Sequence, residues 1–121
     1  MSIIPEFLLK RVYKKGSLRE TSEGILFELK NILGPGIITG INYISINDEI
    51  YMTPAIRLIS SGAATLAEHI SSDKPFMVKL NQEIVCLLDG ARGLKDGINK
   101  IIVELISSDA GCIKVTLTDT I

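Results

Sequence analysis

Cys112-Ile-Lys-Val-Thr-Leu-Thr118 decides the fold class. Ile113, Val115 and Leu117 point to one side while Lys114, Thr116 and Thr118 point to the other, the period of two that marks a half-buried strand. The segment before it, Ile98 to Ile106, repeats the pattern: Ile101, Val103 and Leu105 alternate with Ile102, Glu104 and Ile106. Ser107-Ser-Asp-Ala-Gly111 lies between them and has the composition of a turn. The pair therefore reads as an antiparallel hairpin at the C-terminal end.

Working outward, the same signal recurs. Phe7 to Tyr13, Ile25 to Asn31, Ile37 to Ile46, Phe76 to Leu80 and Glu83 to Leu88 read as strands. Asn47-Asp48 joins Ile44-Ser-Ile46 to Glu49-Ile-Tyr-Met52 as a tight hairpin turn, since Asn and Asp tolerate positive φ. Gly34-Pro-Gly36 must bend, because proline cannot donate to a ladder. Asp89-Gly90 and Asp96-Gly97 bracket a loop. The prediction is an all-β antiparallel sandwich of about seven or eight strands, a single domain over residues 1–121. One segment departs from it. Ala63, Leu66, Ala67 and Ile70 fall at helical spacing behind Ser60 and Ser61, which predicts one short helix near residues 62–70 or an irregular crossover.

Composition sets limits on function. The 121 residues suit one core, and 46% are hydrophobic, so apolar material is ample. No apolar run approaches the roughly 20 residues of a membrane-spanning helix, and Met1-Ser-Ile-Ile-Pro-Glu6 lacks a signal-peptide pattern, so the chain reads as cytoplasmic. A net charge of −1 disfavours global binding to nucleic acid or an anionic membrane. The exception is local. Lys10, Arg11, Lys14, Lys15 and Arg19 form either a basic patch or a strand edge kept soluble by lysines. The two cysteines, Cys86 and Cys112, lack metal-ligand spacing, and Cys86 in Ile84-Val-Cys-Leu-Leu88 reads as a buried apolar group.

Reactive groups are few. His69 is the only histidine and adjoins Glu68; an imidazole tuned by an acid such as Glu68 or Asp48 could act as a base, yet no nucleophile is identifiable. A surface or partner-contacting histidine is the alternative. Most of the acids Glu20, Glu23, Asp48, Glu49, Asp89 and Asp96 sit in predicted turns, where backbone bonding explains them. Asp89-Gly-Ala-Arg-Gly-Leu-Lys95 lacks phosphate-loop spacing. There is no Trp. Phe27 and Phe76 fit core positions, which leaves Tyr13, Tyr43 and Tyr51, with His69, as contact residues for a partner. Ile37 to Ile46 and Glu83 to Leu88 are apolar on both faces and need a second cover, from a partner or from a local loop.

The strings Pro5-Glu-Phe-Leu-Leu-Lys-Arg-Val-Tyr-Lys-Lys-Gly-Ser-Leu18 and Gly24-Ile-Leu-Phe-Glu-Leu-Lys-Asn31 carry a family likeness, together with Pro35-Gly36, Thr39-Gly40, Asp109-Ala-Gly111 and Leu117-Thr-Asp119. The chain resembles the small β subunits of C-glycoside deglycosidases. The resemblance implies a sandwich that assembles with a larger (β/α)-barrel subunit holding the divalent metal and most catalytic groups. No cofactor is expected in this chain, and no catalytic residue transfers to it. The expected function is a non-catalytic accessory subunit of a barrel enzyme acting on sugars or C-glycosides. The alternatives are a small lyase or hydrolase built on His69, and a self-associating structural domain.

Overall fold

The computed structural model describes residues 4–121 and confirms the all-β sandwich. Its elements run α1 (Glu6–Lys10), β1 (Arg19–Thr21), β2 (Gly24–Lys30), β3 (Gly36–Ile46), β4 (Glu49–Tyr51), β5 (Ile56–Ser60), β6 (Ala63–Leu66), β7 (Phe76–Val78), β8 (Glu83–Asp89), β9 (Ile98–Ser107) and β10 (Gly111–Thr120). One sheet has the order β1-β2-β8-β5-β6 and the other β10-β9-β3-β4, with β7 also pairing β3. Every pairing is antiparallel.

The predicted C-terminal hairpin forms without a register shift, and Leu105, Val103 and Ile101 stand opposite Ile113, Val115 and Leu117 on its inner side. Facing them across the core is the ladder of Ile25, Phe27 and Leu29 on β2 against Leu88, Cys86 and Ile84 on β8. Phe27, Ile25 and Leu88 have no exposed surface. Burial on this scale is the main driving force of the fold, at about 25 cal/mol per Å² of apolar area removed from water. Burial also pushes the Cys86 thiol up to about 12, which keeps it a neutral apolar group.

The structure has ten strands, and one of the additional ones stands where a helix is predicted. Residues 63–66 are β6, followed by a 3-10 turn at Ala67–His69. Ser61 and Gly62, both at positive φ, make the tight turn that folds β6 back on β5. Ser60 does not cap a helix; its hydroxyl donates to the Glu83 carbonyl and accepts from the Gln82 amide. The helical spacing arises because Ala67 and Ile70 are buried by the 3-10 turn rather than by a helix face.

The opposite exchange occurs at the N-terminal end. The strand predicted from Phe7 to Tyr13 is the one-turn helix α1 followed by a turn, and only Tyr13 bridges to β2, at Leu29. Pro5 precedes the helix, where its missing N–H costs nothing, and Glu6 lies 3.7 Å from Lys10 one turn on.

The strands expected to be apolar on both faces divide differently. On β3, register shifts between Ile38 and Gly40 and between Ile41 and Tyr43 let both Ile41 and Ile44 turn inward. On β8, Val85 and Leu87 point away from the shared core. Leu87 is nonetheless only 3% exposed, flanked across the ladder by Leu26 and Arg57. Its cover comes from this chain, since the aliphatic stem of Arg57 reaches over the sheet to pair with Asp89 at 2.7 Å.

Tyr13, Asp119 and Gly16 lock the first turn to the last strand. The Tyr13 hydroxyl and the Gly16 amide both donate to Asp119 Oδ2, and the Thr120 amide donates to Oδ1. Burial alone would raise the pKa of Asp119, but these donors outweigh it and hold the carboxyl below the usual aspartate value.

Gly24 has φ +146°, and a Cβ there would collide with the Leu88 carbonyl and stand 2.9 Å from the Gly90 nitrogen. Gly24→Ala should cost on the order of 3 kcal/mol in urea unfolding. Gly36→Ala, with open space around it, should stay within about 0.5 kcal/mol. Because the folded pKa of Asp119 is depressed, its carboxylate stabilises the fold above the ordinary value near 3.8, and that contribution fades as pH falls through the folded value. Asp119→Asn should therefore destabilise the protein near neutrality and flatten the acid limb of its stability profile. Tyr13→Phe should cost about 1–2 kcal/mol.

Candidate binding site

One end of the sandwich is open between the sheets, and α1 lies beside the gap. The result is a cavity of about 280 Å³, lined by Ile4, Leu9, Val12, Leu29, Ile38 and Ile113 among others. Its construction follows from the chain. Gly34-Pro35-Gly36 follows β2, and its two glycines leave open space where side chains would stand, while Leu9 and Val12 also line the cavity.

The polar residues at the cavity are mostly engaged. Asn31 is 8% exposed; its side-chain amide donates to the Gly34 carbonyl at 2.7 Å and the Lys79 carbonyl at 3.0 Å, and its oxygen accepts the Leu33 amide. Ser107 caps the following turn by accepting the Ala110 amide. An apolar wall with its amide already satisfied suits an aliphatic or small aromatic group and offers no acid–base pair. None of the predicted site residues Tyr13, Tyr43, Asp48, Tyr51, Glu68 and His69 lines this cavity. Its walls come from several separate segments, so no local motif could have revealed it.

The predicted site residues lie elsewhere and apart. Glu68 and His69 are exposed on the 3-10 turn after β6, and no hydrogen bond among the described residues joins either to the other or to Asp48. Asp48 occupies the β3–β4 turn at φ 72°, and Lys100 at 2.8 Å holds its carboxyl below the usual range. Tyr13, expected to meet a partner, is buried in the core against Phe27. Tyr43 and Tyr51 are half-buried, and the Tyr51 hydroxyl donates to Glu49 at 3.0 Å. Burial and that carboxylate raise its pKa.

Several of the other acids have partners within the chain. Glu20 accepts the Gly93 and Leu94 amides at 3.0 and 3.4 Å, while Arg92 donates to the Thr21 and Ser22 carbonyls. The glycine-containing loop after β8 is thereby strapped to the first hairpin, and its anion-attracting amides are occupied by this chain's own carboxylate. Glu28 sits between Arg19 at 3.0 Å and Lys14 at 3.6 Å, and the Arg19 hydrogen bond leads in lowering its pKa. Cys86 and Cys112 are both free thiols. Among the described residues no cluster of three or more His, Cys, Asp or Glu side chains could hold a metal ion, and no helix is long and apolar enough to cross a membrane.

Comparison with known proteins overturns the likeness to the C-glycoside deglycosidase small subunits, and with it the expected tie to sugars. The strings that carried it are turn and strand patterns common to sandwiches, and the longest of them, Pro5 to Leu18, is a helix and a turn here. No curated protein matches the chain. A family model described as hydroxymethylglutaryl-CoA reductase, N-terminal domain, matches residues 8–121, from the middle of α1 to the final residue. Since that match takes in both sheets and nearly the whole sequence, the chain belongs to the hydroxymethylglutaryl-CoA reductase N-terminal domain family.

Proposed function

We propose that this chain is an accessory domain of a larger enzyme of the hydroxymethylglutaryl-CoA reductase type, and that it supplies packing surface rather than reacting groups. The family match over residues 8–121 carries the reading. The use of the ionisable groups supports it. Asp119, Glu20, Glu28, Asp48 and Asp89 are held by hydrogen bonds or ion pairs within the sandwich. A carboxylate fixed on backbone amides or a guanidinium is a weak base with little freedom to move a proton. The partner in this reading is the catalytic part of the enzyme, and no cofactor binds to this chain.

Co-purification of the full chain from native extract tests the proposal, with the associated polypeptide identified by mass spectrometry. Its hydroxymethylglutaryl-CoA reduction is then measured with and without the chain. The expected result is a larger partner whose reduction of that thioester is altered by removing this chain, while the chain alone is inactive. His69→Ala should leave the partner's rate within about twofold, as expected for an exposed group outside the chemistry. Activity of the isolated chain that disappears in His69→Ala would overturn the reading, as would a partner without the reductase activity.

A further inference from the structure

The four lateral edges of the sandwich are not alike. The first sheet ends in β1 and β6, of three and four residues, and the far edge of β3 carries only the three-residue strands β4 and β7. Short edge strands limit unwanted pairing. β10 ends the second sheet with ten residues in unbroken register. Ile121 and Gly97 exchange both backbone hydrogen bonds, at 3.0 and 3.3 Å, so odd-numbered residues of β10 bond to β9 and even-numbered ones face outward. The Thr120 amide is taken by Asp119. Among the described residues, nothing pairs with the outward amides and carbonyls of Cys112, Lys114, Thr116 and Thr118.

Beside this edge lies a second cavity of about 280 Å³, bounded by Thr116, Leu117 and Thr118 on one side and by Lys10, Tyr13 and Lys15 on the other. Arg11 and Lys14 are exposed close by in sequence, and Lys114 stands on the edge itself. The carboxylates that offset these charges are Glu6 near Lys10, Glu28 near Lys14, and Glu104 opposite Lys114. Lys15 and Arg11 have no carboxylate partner among the described residues.

We propose that the β10 edge and this lysine-lined crevice form a docking site for an extended acidic polypeptide segment, which adds to the sheet as its outermost strand. Backbone pairing would come from the free groups of residues 112 to 118. Specificity would come from Asp or Glu at alternate positions, whose side chains enter the crevice between Lys10 and Lys15. Charge argues against a second copy as the occupant. Pairing two β10 edges about a two-fold axis through the free groups would bring Lys114, Lys10 and Lys15 of one copy alongside those of the other.

The test uses the full chain and labelled ten-residue peptides of alternating Glu and Val, of alternating Lys and Val, and of Glu and Val interrupted by two central prolines. Fluorescence anisotropy should show binding of the uninterrupted acidic peptide alone. Amide exchange followed by NMR should show Lys114, Thr116 and Thr118 protected only in its presence. Lys10→Glu combined with Lys15→Glu, both exposed and outside the core, should weaken binding about tenfold or more. Equal binding of the proline-interrupted peptide would overturn the proposal in favour of simple polyanion attraction. So would binding without protection of those amides, absence of binding, or a purified dimer in which they are already protected.

Discussion

Asn99 has no exposed surface, yet it is a polar residue on the inner face of β9 at one end of the core. All of its side-chain capacity is used within the chain. Its oxygen accepts the Asn47 side-chain amide at 2.8 Å and the Lys95 backbone amide at 3.0 Å. Its nitrogen donates to the Lys95 and Gly97 carbonyls. Asn47 in turn exchanges hydrogen bonds with the Lys100 backbone through both its amide and its side-chain oxygen. A single buried amide thus fixes the β3–β4 turn, the entry into β9 and the loop that crosses from the other sheet. An amide buried without partners would cost several kcal/mol, so these segments must arrive together or not at all.

A sandwich has two ends at which strands stop and backbone groups would otherwise be stranded, and here the two are closed by different means. Asn99, with Tyr13 and Asp119 across the adjacent strand, fills one end with hydrogen bonds. At the other end Asn31 satisfies the turns around Gly34 and Lys79, but only apolar side chains and α1 close the space, and a cavity results. Side-chain hydrogen bonds constrain position more tightly than apolar contact, which is non-directional. The polar end is therefore the rigid one, and adaptability belongs to the end bordered by α1.

Which parts of this arrangement the sequence disclosed follows from the range of the interactions involved. β9 and β10 alternate cleanly enough to be read residue by residue, β2 and β8 show as short apolar runs bounded by turn residues, and the Asn47-Asp48 turn follows from φ requirements alone. β1 and β6 are short and poor in large apolar residues, and β5 lies in a stretch with no clear turn signal except Ser61-Gly62, which the helical spacing of Ala63, Leu66 and Ala67 obscured. α1 was hidden because Phe7, Leu8 and Leu9 in succession look like a buried strand, although Pro5 in front of them marks a helix start. Tyr13 and Asp119 are 106 positions apart, and the cavity walls are drawn from both sheets. Tertiary pairings of that kind leave no periodicity, so Tyr13 read as a surface aromatic when it is a core residue with a buried hydroxyl.

The distribution of acidic residues bears on what the fold is for. Exposed ion pairs such as Asp48 with Lys100 are screened by water, add little stability and would not by themselves explain why acids stand at so many turns. Glu20 and Asp119 do more, because each accepts backbone amides from a segment distant in sequence and ties a loop to the sheet edge. Both also lie on the side of the sandwich formed by β1 and the first turn. Catalysis needs a carboxylate whose lone pairs are available to substrate, whereas Asp119 already accepts three hydrogen bonds and Glu20 Oε1 accepts two. Turns tied by side-chain hydrogen bonds and one end closed only by apolar packing are in keeping with the accessory-domain reading proposed above.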